Sequence, residues 1–90
     1  MEHLKSTIDL IESIIENRDD KEYYTLLYIF YDYLSNENLA IVFSKVFSKE
    51  IAKVMNDIYS INNQEITFSK VYKVLKKLEK NGFESWTMED

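Results

Sequence analysis

The 90-residue chain suits one domain spanning 1–90, and at 46% hydrophobic residues it has enough apolar side chains to form a core. It has no cysteine, which excludes a disulfide scaffold and a thiolate metal site and fits a reducing cytosol. A net charge of −5 argues against a protein that coats nucleic acid indiscriminately. No apolar run reaches the roughly 18 residues a membrane span needs. Glu12 and Glu16 interrupt any signal-peptide block near the start. A soluble, cytoplasmic protein with no membrane association is expected. A chain this short buries only about 60% of its unfolded surface, so its core is thin and a partner subunit would help.

Proline is absent and Gly82 is the single glycine, too few turn formers for a strand-rich fold. The chain reads as all-α, with about five helices. The first is expected over 2–16, where Leu4, Ile8, Ile11 and Ile15 recur at helical spacing. Residues 17–20 break it, and Asp19 or Asp20 can cap the next helix. That second helix is expected over 21–34, with Tyr23, Leu26, Leu27, Phe30 and Leu34 as its buried stripe and Tyr24, Tyr28, Tyr31 and Tyr33 on its other sides. It should be the central helix. Residues 35–38 read as a turn. Residues 39–47 suit a short helix, although LAIVF alone could be a strand. Ser48 is expected to cap a fourth helix over 49–59, with Ile51, Val54, Met55 and Ile58 inward. Residues 60–65 form a polar loop.

The last helix carries the chemistry. Residues 45–80 hold eight lysines against four acids, a balance of +4, and the remainder three bases against twelve acids, −9. In 67–83 Thr67 is the expected N-cap, its hydroxyl accepting from a first-turn amide. Val71, Val74, Leu75 and Leu78 make one face, with Phe68 at its start. Ser69, Lys73, Lys76 and Lys80 cluster opposite, flanked by Lys70 and Lys77 on one side and by Tyr72 and Glu79 on the other. Gly82 supplies the left-handed stop, with Leu78 and Phe83 placed to touch across it. A lone helix fits the major groove, and lysines along its outer face can neutralise phosphates. A solvated lysine face on an ordinary amphipathic helix is the plainer alternative.

The string TFSKVYKVLKKLEKNGF, with its capping Thr67, Val71-Tyr72, and Leu75, Leu78-Glu79, Gly82-Phe83, resembles the recognition helix of PadR-type winged-helix proteins. SKEIAKVMNDI, residues 48–58, is similar to the preceding helix of the helix-turn-helix, and Glu84-Ser85-Trp86 looks like the first wing strand. The likeness covers 48–86, under half the chain, and its string recurs in other winged-helix families, MarR-like ones included. It implies a winged helix-turn-helix with a minimal β wing. With Asp90 the last residue, the wing would hold one strand and the usual C-terminal dimerisation helix would be missing. The helix over 2–16 then becomes the candidate dimerisation element. Small PadR-like proteins of archaeal plasmids and viruses, a centromere-binding partition adaptor among them, have this reduced size.

Remaining residues point away from catalysis. His3 is the single histidine and makes neither a metal site nor a catalytic base alone. Asp19-Asp20 reads as capping rather than a carboxylate pair. No phosphate-loop, zinc-protease or nucleophile-elbow motif occurs. No enzyme, catalytic residue, metal or cofactor is expected. Trp86 either packs onto the core or lies at an interface. Arg18 is the single arginine, so base reading falls to lysine and sequence preference should be modest.

The expected function is double-stranded DNA binding, by a small transcriptional regulator or site-specific adaptor. The expected contacts are Ser48, Lys49, Thr67, Ser69, Lys70, Tyr72, Lys73, Lys76 and Lys77. The rival is a protein-interaction module using the acidic helices; an acidic mimic of DNA has less support because the acids are scattered. A homodimer is expected, and light scattering at micromolar concentration should give twice the 10.8 kDa chain mass. A mass of one chain would remove that expectation.

Overall fold

The computed structural model describes residues 2–88, and side chains from residue 4 onward, so the reading of His3 lies outside the described residues. Among the described residues the chain is all-helical: α1 (Glu2–Ile14), α2 (Asp20–Phe30), α3 (Asn36–Phe47), α4 (Ile51–Tyr59), a 3-10 turn (Ile61–Asn63), α5 (Phe68–Lys80) and α6 (Phe83–Thr87). None of these helices is long and apolar enough to cross a membrane.

Local chemistry sets most boundaries. Asp19 caps α2 by accepting the Glu22 amide at 2.9 Å. The Glu22 carboxylate reaches back and takes the amides of Glu16, Asn17 and Arg18 at 2.8, 3.0 and 2.6 Å. This reciprocal capping closes the α1–α2 turn, where Arg18 holds a left-handed φ of 55°. The Arg18 guanidinium donates to the Val46 carbonyl and to Glu12, tying the turn to the end of α3. Residues 39–47 are helical, and their helix begins earlier than the sequence implied, because the Ser35 hydroxyl accepts the Asn38 amide at 3.2 Å. The second helix stops at Phe30 rather than reaching 34. Tyr33 and Leu34 turn back to the Phe30 carbonyl, and Leu34 is still buried.

Three sequence expectations are corrected. Ser48 does not cap the fourth helix. It closes α3 in the left-handed region (φ 55°, ψ 47°), its amide bonded to the Ser44 carbonyl, and the extended N-cap conformation passes to Glu50. Thr67 is the N-cap of α5, but its hydroxyl makes no capping bond. Residues 84–86 are not a wing strand. Beyond Gly82 (φ 94°) the Trp86 amide bonds the Gly82 carbonyl at 2.9 Å and a new helix begins. Phe83 and Trp86 are three apart and both buried, which one helical face permits; a strand would send them to opposite faces.

The core is built on α2. Tyr23, Leu26, Leu27 and Phe30 are fully buried, against Leu39, Val42 and Phe43 of α3 and Ile11 of α1. Phe30 joins two aromatic groups, with ring centroids 6.3 Å from Phe43, 6.0 Å from Phe83 and 5.1 Å from Trp86. The Trp86 indole donates to the Thr7 hydroxyl at 2.8 Å, so α6 seals the bundle against α1. The α1 apolar stripe offered for dimerisation faces this interior: Leu4, Leu10, Ile11 and Ile14 are buried, with Ile8 and Ile15 partly covered. In α4 Val54 and Ile58 are inward as expected, whereas Ile51 is exposed.

One interior contact is ionic. Asp57 is 5% exposed. Its carboxylate accepts from the Tyr23 hydroxyl at 2.7 Å, the Tyr24 hydroxyl at 3.4 Å and Lys53 Nζ at 2.7 Å. Burial, then the bond to Asp57, pushes the Tyr23 phenol far above the usual tyrosine range. Burial does the same to Tyr24 more mildly, and the bond to Asp57 raises Lys53. Asp57→Ala should cost about 2–3 kcal/mol in urea unfolding, since the Tyr23 hydroxyl loses its buried acceptor. All three raised values act in one direction. Their stabilisation is complete below about pH 10 and declines above it, as the unfolded chain releases protons the folded chain keeps. Tyr23→Phe should flatten this alkaline fall; an unchanged slope in pH-resolved urea titrations would refute the assignment.

Candidate nucleic-acid interface

Helix α5 is held by a shallow footing. Only Leu78 is buried; Val71, Val74 and Leu75 are half-covered, packing on α2, α1 and α6. Apart from the half-buried Lys77, the rest of its circumference faces solvent. Ser69, Lys73, Lys76 and Lys80 are all exposed on the outward ridge, one helical turn or less apart, as the wheel placed them. Among the described residues the ion pairs are Lys5–Asp9, Arg18–Glu12, Lys53–Asp57 and Lys77–Glu16, so Lys70, Lys73, Lys76 and Lys80 have no carboxylate partner. Lys76 Nζ stands 5.3 Å from the centre of the Tyr72 ring, a cation–π contact that leaves its remaining face to solvent.

Nine residues were expected to contact DNA. Thr67, Ser69, Lys70, Tyr72, Lys73 and Lys76 are brought together along exposed α5. Lys77 is half-buried and turned toward the body, where it pairs with Glu16 at the end of the α1–α2 turn. Ser48 and Lys49 sit elsewhere, at the α3–α4 corner. There Lys49 Nζ lies 4.7 Å over the Tyr23 ring, and its backbone is bonded to Ser44 in both directions. They precede α4, whose N-cap is Glu50 and whose first residue is Ile51.

The two flanks of α5 differ in charge and polarity. Toward the α1–α2 turn a cleft of about 200 Å³ is lined by Lys70, Lys73 and Lys77 opposite Glu16, Asp19 and Glu22. The Glu22 carboxylate is already engaged by three amides. The other flank is aromatic. Phe68, expected on the apolar face, is instead 89% exposed, and Tyr72 one turn on is 56% exposed. Tyr28 of α2 shares a shallow hollow with Phe68, Ile66 and Val71.

Three features escaped sequence reading: the inward pairing of Lys77, the consumption of Arg18 at a turn, and the exposure of Phe68. For Lys77 a partial signal existed, since it lies nearer the apolar arc than Lys73 or Lys76. No protein-family model, curated protein or solved structure matches the chain. The Lys77–Glu16 pair, with side chains 41% and 61% exposed, is worth little in water. Glu16→Gln should therefore shift stability by less than about 0.5 kcal/mol. A loss above about 1 kcal/mol by urea midpoint would mean the pair anchors α5.

Proposed function

We propose that the chain is a double-stranded-DNA-binding protein of helix-turn-helix type, a small transcriptional regulator or site-specific adaptor, that presents α5 to the major groove. The observation carrying this reading is the outward ridge of α5, where Lys70, Lys73, Lys76 and Lys80 are exposed and unpaired among the described residues. Among the described residues these four lysines at helical spacing have no carboxylate partner, and only Lys76 has a ring contact, with Tyr72. Against a phosphate backbone each would displace condensed counterions. The likeness of 67–83 to PadR-type recognition helices supports the same assignment.

The reading names roles. Ser69 and Tyr72, in the first turns, face base edges. Lys73, Lys76 and Lys80 take phosphates, and Lys70 sits at the margin nearest the acidic turn. Lys77 is left out while Glu16 holds it. A homodimer, if two half-sites are read, would meet through surfaces other than the inward α1 stripe.

The test is a salt titration of binding to a double-stranded, A·T-rich oligonucleotide. Three phosphate contacts predict a slope of log affinity against log salt of roughly −3, at about −0.9 per contact. Lys73→Ala with Lys76→Ala should reduce that slope by about 2 and leave the helical circular dichroism intact. Affinity that stays flat with salt would refute the proposal, because it leaves no role for the ridge.

A further inference from the structure

We propose that Phe68 reads thymine, its ring packing on the 5-methyl group in the major groove. This rests on the assignment of α5 to that groove. The groove displays a methyl only at thymine, and apolar side chains recognise it by contact rather than by hydrogen bonding. Phe68 is the first residue of α5, at the end of the helix that reaches deepest between the strands. At 89% it is the most exposed of the protein's large exposed apolar residues, even though the hollow lined by Tyr28, Ile66 and Val71 lies beside it. The ring edges that hollow with nearly all of its surface in solvent.

Two further facts narrow the occupant. The residue best suited to guanine, Arg18, is taken by the Val46 carbonyl and Glu12, so bidentate guanine reading by arginine is not available. A second copy meeting at this end would bring Lys70 and Lys73 of each chain, which have no carboxylate partner among the described residues, against one another. A polyanion presenting a methyl satisfies both the ring and its cationic neighbours.

The experiment compares two duplexes of about 20 base pairs, one of alternating A·T pairs and one identical but with deoxyuridine in place of thymidine. Binding is followed by fluorescence anisotropy with the full chain and with Phe68→Ala. The parent protein should prefer the thymine duplex by about fourfold per methyl contacted, the equivalent of about 0.8 kcal/mol per buried methyl-sized group. Phe68→Ala should bind both duplexes as weakly as the parent binds the uracil one, with unchanged circular dichroism. Phe68→Leu should keep part of the preference. Equal parental affinity for the two duplexes, with a steep lysine-dependent salt slope, overturns the thymine proposal and leaves DNA binding standing. A preference that survives Phe68→Ala overturns it as well. Binding to neither duplex at low salt overturns the DNA assignment, and this proposal with it.

Discussion

A carboxylate withdrawn from water must find donors, and Asp57 finds three. That requirement fixes α4 against α2, because Tyr23 and Tyr24 are on α2 and Lys53 is one turn before Asp57 on α4. Tyr23 is simultaneously an apolar core residue, packed edge-to-face on Phe47 and Tyr24 with its hydroxyl at Asp57. One side chain therefore joins the hydrophobic and ionic halves of the interior. The rest of α4 packs on α3, the 3-10 turn that follows rests on α2 and α4, and α5 then lies on α2, α1 and α6.

This arrangement separates holding from presenting. The apolar groups of α1 to α4 are largely committed inward, while α5 commits Leu78 and the half-covered Val71, Val74 and Leu75. A helix seated so lightly shows most of its surface. Its two flanks are then unlike: one meets the acidic α1–α2 turn, the other meets the exposed Tyr28 of α2. The acidic turn sets a boundary on the positive surface, since Glu16 withdraws Lys77 from it. The net charge of the protein and the charge of this helix are thus separate quantities: on α5 the exposed lysines outnumber the acids.

What was legible in the sequence was what neighbours decide. The α5 apolar stripe, the Asp19 cap, the Gly82 stop and the α2 stripe of Tyr23, Leu26, Leu27 and Phe30 all arise from contacts within a few residues, and periodicity reports those. Periodicity does not report how far a face is covered, so Ile51 and Phe68 were placed inward and are exposed. Residues 84–86 were misassigned because family likeness was extended past Gly82; the i, i+3 spacing of Phe83 and Trp86 already favoured a helix. The burial of Asp57 leaves no local sign, since nothing near it in sequence announces that Tyr23 will arrive from α2. Glu16 and Lys77, remote in sequence, meet only through the fold.

The bond between Trp86 and Thr7 carries a kinetic meaning. It joins positions 79 apart in the chain. Most contacts of a helical bundle form between near neighbours and form fast, but this one must wait for a loop of nearly the whole chain to close. Helix α1 also packs on α3 and α5, and the Trp86 bond fastens its remaining side. Trp86 thereby adds a contact of very long sequence separation to a helix already seated on α3 and α5, so the slowest-closing contact of α1 is not its main footing.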